Sequence, residues 1–366
     1  MRSGNAFPAL ALLVATSASV VISVSACVHL QGPPGNATFS RTAVVFANSD
    51  TELHGDVLIP AAPRNAPGVV IIHGSGTAPR TQAWAAEFAE GLAARGIAVL
   101  IPDKRGSGAS GGDWKTASFD LLAEDAVGAV ERLRGVPGVD ADAVGVLGLS
   151  QGGHIAPRAG ALSKNIAFVI NAVGSTVPIT EQIVDEVEKL AERKGFTVQQ
   201  VAEVTRIHRL MIRYARTGQG WNRYIAARQA ALRTAIAGHG VIEPFTEDRN
   251  HWVWGFARAI GDYDPLPHWH ALTQPALIVY GAQDTQIRVA TSVARLHDAL
   301  SDGSRDYTVI VYGDSGHALR NGRTHALRED MLDFMASWIH LRTKRAARAS
   351  PAGEDMFRSM PASDFE

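Results

Sequence analysis

This sequence contains a single cysteine and almost no net charge. Cysteine occurs once in 366 residues, as Cys27, which excludes disulfide bonds within the chain and disfavours thiol catalysis. The 35 basic and 36 acidic side chains give a formal net charge of −1, so we expect no nucleic-acid partner. The Gly-rich residues 106–112 lack the Lys-Ser or Lys-Thr pair of a phosphate-binding loop. No cofactor is predicted.

Long apolar runs are equally scarce, and the longest stands at the N-terminus. Arg2 is followed by "FPALALLVATSASVVISV" and then by "VSAC", residues 24–27. The run is too short and too rich in Ser and Ala for a membrane span. It is typical of a secretory signal peptide with small residues at the cleavage site. We therefore predict a signal peptide over residues 1–26.

The lone cysteine directly after this segment resembles the lipobox of bacterial lipoproteins. The resemblance implies that Cys27 becomes the lipidated first residue and attaches the protein to a membrane of the cell envelope. Val28 stands next, rather than Asp, which by the same resemblance favours the outer membrane, on its periplasmic side. The alternative is ordinary cleavage after Ala26, which would give a secreted or periplasmic protein with an incidental cysteine.

The chain as a whole has an ordinary globular composition, with 46% apolar and 19% charged residues. Composition and periodicity change along it, from a Gly/Pro-rich spacer to regular patterns and finally to a polar end. The predicted parts are a tether (27–40), an α/β core (41–174 and 275–349), a helical cap (175–274) and a disordered tail (350–366).

Apolar strands alternate with helical patterns through most of the core. Two alternating stretches, "TAVVFAN" and "ELHGDVLIP", predict antiparallel strands with one face in water. The following strands are "GVVIIHG", "IAVLIPD", "AVGVLGLS", "IAFVINAVG", "PALIVYG" and "DYTVIVYG", with helices over 82–95, 121–134, 151–162, 293–300 and 325–341. Continuous apolar strands separated by helices predict a mostly parallel sheet covered by helices on both faces.

The alternation stops between the sixth and seventh strands, where only helical spacings occur. These spacings predict amphipathic helices. The apolar positions are Ile183/Val184/Val187/Leu190, Val201/Val204/Ile207/Met211 and Tyr224/Ile225/Leu232/Ile236.

The stretch "GLSQGG", residues 148–153, places Ser150 between a buried strand and a helix. A G-x-S-x-G sequence in this setting forces the serine into a strained turn. Gly148 and Gly152 are required because a Cβ at either position would collide across the turn. The turn lifts the hydroxyl above the sheet, beside the positive end of the following helix. Ser150 is therefore the predicted nucleophile.

A nucleophilic serine needs a base, and the base needs an acidic group that orients it. In this architecture the order along the chain is Ser, then Asp or Glu, then His. Asp284 follows the strand "PALIVYG" and His317 follows "DYTVIVYG", so both lie beyond the carboxyl ends of strands, where catalytic groups collect. Asp314 is the rival acid, and His154, one helical turn beyond Ser150, is the rival imidazole. We predict Asp284 and His317.

Backbone N–H groups are predicted to form an oxyanion hole. The strand that ends in "IIHGSG", residues 71–76, opens into a flexible turn that can direct an N–H toward a developing oxyanion. We assign this donor to Ser75, with Gly76 as the alternative. The second donor is the N–H of Gln151, the first residue of the helix after the nucleophile. His73 is predicted to hold the loop rather than to act as a base.

Together these elements resemble the α/β-hydrolase family, over residues 51–341. Within it they resemble the branch of dienelactone-hydrolase-like and prolyl-oligopeptidase-like proteins and related bacterial carboxylesterases. The resemblance rests on "LHGDVLIP", "VVIIHGSG", "IPDKRGSGAS", "GLSQGG", "VYGAQDTQI" and "GDSGHAL". By resemblance, "DKRGSGAS" mainly shapes a loop. Dienelactone hydrolases proper use a cysteine nucleophile, whereas this chain has a serine there.

Two further patterns have structural interpretations. "HWH", residues 268–270, could suggest a metal pair, but no third ligand stands at a suitable spacing, so no metal is predicted. An aromatic group stands at the end of the cap, and it is interpreted as packing between cap and core, or as the lining of an acyl pocket. Its members are Trp252, Trp254, Phe256, Tyr263 and Trp269.

The sequence therefore predicts a serine hydrolase that cleaves carboxylic esters through an acyl-enzyme intermediate. A serine peptidase or amidase, or a catalytically silent envelope lipoprotein, is the alternative. The expected partners are a small-molecule ester and, through the lipid, a membrane; the oligomeric state is left open. About forty residues separate Cys27 from the strand leading to His73, too few for the β-propeller that precedes prolyl oligopeptidases. Small or medium esters are therefore the expected substrates.

Overall fold

The computed structural model describes residues 11–15, 20–23, 39–61, 65–242, 246–301 and 305–349. Cys27, most of the predicted tether and the predicted disordered tail lie outside these residues. Of the predicted signal peptide, only Ala11–Ala15 and Val20–Ser23 are described, and they are strands at one edge of the sheet. Cleavage after Ala26 would remove both strands. No helix of the described residues is both long and apolar enough to span a bilayer.

One sheet runs through the whole core. Its strands are Ala11–Ala15 (β1), Val20–Ser23 (β2), Phe39–Asn48 (β3), Thr51–Pro60 (β4), Ala66–Ile72 (β5), Ala98–Pro102 (β6), Val139–Leu149 (β7), Val169–Ala172 (β8), Ala276–Gly281 (β9) and Tyr307–Tyr312 (β10). Their order across the sheet is β2-β1-β10-β9-β8-β7-β5-β6-β4-β3. The strands from β10 to β6 are parallel, whereas β3 and β4 form an antiparallel pair beside β6.

Ten helices accompany the sheet in the described residues. They are Ala83–Ala93 (α1), Phe119–Arg134 (α2), Gln151–Leu162 (α3), Ile179–Arg193 (α4), Val198–Thr217 (α5), Trp221–Ala231 (α6), Val253–Ile260 (α7), Leu266–Ala271 (α8), Val289–Leu300 (α9) and Glu329–Ala349 (α10). Strands β5, β8 and β9 are buried along their whole length, because helices cover both faces of a parallel sheet.

The predicted cap, residues 175–274, has a hydrophobic cluster of its own. Val204 and Ile207 of α5, Tyr224 of α6 and Trp254 of α7 are buried in this second cluster, separate from the core of the sheet. The last helix of the range, α8, packs instead on α3 and α9, and its Trp269 belongs to the main core.

Four predicted helix limits are wrong. Helix α9 begins at Val289 rather than at residue 293. The last helix begins at Glu329 rather than His325 and continues to Ala349, because His325 has a φ of 57° in a turn closed by a bridge between Arg320 and Leu327. Helix α6 ends at Ala231, so the apolar positions 232 and 236 lie in the turns that follow. They pack on the cap cluster without continuing the helix.

The crossing of the chain creates the crevice that the site uses. Within the sheet, β5 lies between β6 and β7, so the chain adds β6 along one edge of β5 and then crosses over to add β7 along the other edge. The loop after β5 and the turn after β7 therefore meet at the carboxyl ends of two adjacent strands. Ligands bind in α/β sheets at such a switch point.

Candidate active site

Ser150 occupies the sharp turn between β7 and α3. Its φ of 53° and ψ of −114° are sparsely populated for a residue with a Cβ, a strain of about 1–3 kcal/mol that the surrounding packing must offset. A Cβ on Gly148 would lie 2.1 Å from the carbonyl oxygen of Gly152, and a Cβ on Gly152 would lie 2.1 Å from that of Ile72. Both glycines are thus required by close backbone approach.

The three residues predicted as nucleophile, base and acid lie together. His317 Nε2 is 2.8 Å from Ser150 Oγ, and His317 Nδ1 is 2.8 Å from Asp284 Oδ2. Since Nδ1 donates to a carboxylate, the neutral ring carries no proton on Nε2, which accepts a hydrogen bond from the Ser150 hydroxyl. The arrangement can remove a proton from Ser150 and return it to a leaving group.

The carboxylate of Asp284 is buried and fully engaged. Its side chain has no exposed surface, and its Oδ1 accepts hydrogen bonds from the N–H groups of Gln286 at 2.7 Å and Ile287 at 3.1 Å. A buried carboxylate requires such donors. These two hydrogen bonds fix the orientation of the carboxylate, so that Oδ2 points toward His317 and accepts its hydrogen bond.

Neither rival takes part in this constellation. Asp314 pairs with Arg328. His154 is buried on α3 against Phe119, with ring centroids 6.2 Å apart, and burial lowers the pKa of its imidazole to about 4.

The predicted oxyanion donors adjoin the nucleophile. Ser75 and Ser150 line the same cavity of about 230 Å³, and Gln151 directly follows Ser150 at the start of α3. Within the part of the chain that the structure describes, neither the Ser75 N–H nor the Gln151 N–H donates a hydrogen bond to another protein group. Two free N–H groups beside a nucleophile can bind a developing oxyanion.

His73 precedes the loop that carries Ser75 and fixes the start of this loop to the end of β6. The ring of His73 donates a hydrogen bond from Nε2 to the carbonyl of Pro102 at 2.6 Å. Burial lowers the pKa of this imidazole to about 4, so it is neutral near pH 7. The hydrogen bond to Pro102 fits the predicted holding role.

The structure adds residues that sequence reasoning missed. Trp84 lines the cavity and donates from its indole nitrogen to the carbonyl of Ala318 at 3.0 Å, which fixes the loop after His317. Lys104 bonds the Gly74 carbonyl and the side chain of Gln151 in the oxyanion region, and Lys189 of the cap bonds the Asp284 loop. Lys104 lies within the "DKRGSGAS" motif, and this motif could have drawn attention to it. Nothing in the sequence indicated a role for Trp84 or Lys189.

The aromatic residues at the end of the cap do not form one cluster. Trp254 packs in the cap cluster and Trp269 in the core. Trp252 and Phe256 contact Trp114 edge to face, with ring centroids 5.4 and 5.5 Å apart. Trp252, Trp254 and Phe256 line a cavity of about 340 Å³ that, among the described residues, shares no lining residue with the cavity of Ser150.

No group of three metal-ligating side chains occurs among the described residues. In the "HWH" stretch, the ring of His268 instead packs on Tyr263, with centroids 5.4 Å apart. Burial lowers the pKa of His268.

The sequence profile of one protein family matches residues 63–323, and this family is described as serine aminopeptidase, S33. The match covers more than half of the chain. None of the curated proteins compared with the sequence matches it.

Solved structures share the fold at low identity. DcsB in complex with its substrate analogue superposes with a TM-score of 0.55 at 16% identity, over 83% of this chain and 99% of the other. An esterase of Pyrococcus furiosus gives 0.54 at 17% identity, over 86% and 97%. The acylaminoacyl peptidase of Pyrococcus horikoshii gives 0.50 at 16% identity, over 83% and 42%. These likenesses concern the fold, and they confirm the α/β-hydrolase fold expected from the sequence.

Proposed function

Because the chain belongs to the serine aminopeptidase S33 family, and is thus a serine-hydrolase-type α/β hydrolase, we propose that it cleaves carboxylic esters through an acyl-enzyme intermediate. The observation that carries the proposal is the pair of 2.8 Å contacts that join Ser150, His317 and Asp284. A relay of this geometry, next to two free N–H groups, suits acyl transfer.

In the proposed reaction, His317 Nε2 takes the proton of Ser150 as Oγ attacks the ester carbonyl carbon. The N–H groups of Ser75 and Gln151 bind the resulting oxyanion. The tetrahedral intermediate collapses, the bond to the alcohol oxygen breaks, and the imidazolium gives its proton to that oxygen. Water, deprotonated by His317, then attacks the acyl-enzyme and releases the acid and the Ser150 hydroxyl. Asp284 stabilises the imidazolium in both halves.

The size of the cavity supports small or medium esters. Its volume of about 230 Å³ lies below the roughly 300–1,000 Å³ of sites that take drug-sized ligands. Gln286, from the loop that binds cap helix α4, lines it together with Trp84. A peptide chain on both sides of its scissile bond needs a longer cleft than such a cavity offers.

A second candidate is an aminopeptidase, favoured by Glu186 on α4. Desolvation raises the pKa of its carboxyl group, while the nearby His317 lowers it. Because its charge interacts with those of His317 and Asp284, the Glu186 carboxylate is the candidate partner for the ammonium of a substrate's N-terminus.

The deciding experiment compares kcat/KM for p-nitrophenyl esters from acetate to octanoate with that for aminoacyl and prolyl p-nitroanilides. The ester proposal predicts that at least one ester exceeds every anilide. An anilide that is cleaved faster than every ester, with a rate that Glu186→Gln abolishes, would establish the aminopeptidase instead. Absence of Ser150 labelling by a fluorophosphonate would favour the catalytically silent protein.

A further inference from the structure

Lys104 is a buried ammonium without an acidic partner. It lies in the turn after β6, with 7% of its surface exposed, between two charged residues that are equally buried. Asp103 pairs with Arg80 at 3.1 Å, and Arg105 bonds Asp125 at 2.8 Å. Among the described residues, no carboxylate lies within ion-pair distance of Lys104 Nζ. A buried charge left unpaired is costly, so its retention calls for a reason.

The contacts of Lys104 lead to the oxyanion region. Its Nζ donates to the carbonyl of Gly74 at 2.9 Å and to Oε1 of Gln151 at 2.8 Å. It also lies 5.5 Å from the centre of the Trp114 ring, a distance at which a cation and an aromatic face attract each other. One side chain thus links the loop after β5 to the start of α3.

The contact with Gly74 bears on Ser75 directly, because the Gly74 carbonyl and the Ser75 N–H belong to one peptide unit. The described chain contains no cis peptide bond, and in a trans unit the C=O and N–H groups point in opposite directions. Holding the carbonyl on Lys104 therefore turns the Ser75 N–H away from Lys104. A cation at the carbonyl also polarises the peptide, which strengthens its N–H as a donor.

We propose that Lys104 is a positioning residue that holds the oxyanion donors Ser75 and Gln151 in place, and that its positive charge strengthens them. This inference rests on the proposed function, since it needs an oxyanion to form beside Ser150. Lys104 acts through the peptide of Gly74 and through the side chain of Gln151.

The charge of Lys104 changes in an accessible pH range. Burial lowers the pKa of Lys104 to about 7, so the ammonium is present below that pH and lost above it. The charged or titratable groups that face it are His73 at the end of β5, Asp103 and Arg105 on its own turn, and Lys115 beside the same Trp114 ring. His73, with a pKa lowered to about 4, is neutral throughout this range.

The test compares the wild type with Lys104→Met and Lys115→Met. Methionine keeps most of the apolar stem of lysine. Lys115 lies 5.9 Å from the centre of the same Trp114 ring but has no contact with Gly74 or Gln151, so it is the matched control. For p-nitrophenyl butyrate we expect Lys104→Met to lower kcat by roughly 10- to 100-fold, less than loss of a donor itself. The KM of Lys104→Met should stay within about threefold of the wild-type value. For Lys115→Met, both kcat and KM should stay within about twofold of the wild-type values.

The pH profile separates this role from a merely structural one. In the wild type, kcat should fall as the pH rises through about 7, as the ammonium is lost; in Lys104→Met this alkaline fall should be absent. An unchanged profile, or a kcat equal to that of Lys115→Met, would overturn the proposal. If Lys104→Met does not fold, the wild-type rate of labelling by a fluorophosphonate decides: no decrease above pH 7 refutes a role for the charge.

Failure of the ester proposal can be distinguished from failure of the Lys104 proposal by labelling with a fluorophosphonate. If the wild type hydrolyses no ester but a fluorophosphonate still labels Ser150, the ester proposal fails. The ratio of labelling rates between wild type and Lys104→Met still measures the effect of Lys104 on the donors, because phosphonylation also develops negative charge on an oxygen beside Ser150.

Discussion

Lys189, on cap helix α4, donates a hydrogen bond of 2.9 Å from Nζ to the main-chain carbonyl of Asp284. The same ammonium bonds the carbonyl of Ile287, so it closes the loop whose N–H groups bind the Asp284 carboxylate. Gln182 and Arg193 of the same helix bond two further carbonyls of this loop, at 3.1 and 2.9 Å. The cap therefore supports the residue proposed to orient His317.

Replacing Lys189 by Met should lower kcat by between about 10- and 100-fold, because a small displacement of a catalytic group is costly. Lys194→Met, at the exposed end of the same helix, is the control and should retain activity. Steady-state kinetics on the best ester, together with thermal unfolding, provide the measurement. Equal kcat values for the two variants would show that Lys189 does not position Asp284.

Replacing Ser150 by Ala should abolish turnover and leave the fold intact, since only a hydroxyl is lost. Losses of the order of a millionfold in kcat are expected for a nucleophile of this kind. Ser40→Ala, at an exposed position of β3, serves as the matched control. Residual activity of Ser150→Ala above roughly a hundredth of the wild-type rate would contradict the assignment of the nucleophile.

Replacing Gly152 by Ala should destabilise the protein by about 3 kcal/mol or more, because overpacking against backbone cannot be relieved by side-chain rotation. The added Cβ would lie 2.1 Å from the carbonyl oxygen of Ile72. Gly255→Ala in α7 is the control: its Cβ meets no atom within 4 Å, and helix propensity should make it neutral or stabilising by up to about 1 kcal/mol. Urea unfolding measures both, and similar free energies of unfolding for the two variants would refute the steric argument.

We propose that Cys27 carries a lipid that attaches the mature protein to the outer membrane. The proposal is supported by the sequence around the cysteine and by the small residues that precede it. Cys27→Ser should yield uncleaved precursor or soluble protein, as seen by mass spectrometry and by detergent phase separation. Partition of the wild type into the aqueous phase would refute the anchor and favour a secreted or periplasmic protein.

The nucleophile turn was predictable because its cause is local. Gly148, Ser150 and Gly152 stand within five residues, and the close approach that excludes a Cβ follows from the strand before the turn and the helix after it. The positions of Asp284 and His317 were predictable for a related reason. Residues just beyond the ends of parallel strands share one edge of the sheet, whatever lies between them in sequence.

The limits of helices were less well predicted. The apolar spacing in "HALRED" fits a helix, yet the φ of 57° at His325 and the bridge between Arg320 and Leu327 hold this segment in a turn. Periodicity reports which side chains can face a core, whereas a helix end also depends on which backbone groups find partners elsewhere.

The sequence by itself determined the order of strands and helices in the α/β core from β3 to α10, and the identity of the residues proposed for nucleophile, base and acid. These follow from short-range sterics and from a strand-end rule. Only the tertiary structure decided that Lys104 reaches Gly74 and Gln151, and that Lys189 reaches Asp284. Their partners lie 30, 47 and 95 residues away along the chain. Such contacts depend on how whole elements pack, because a flexible lysine has many possible partners and packing selects among them.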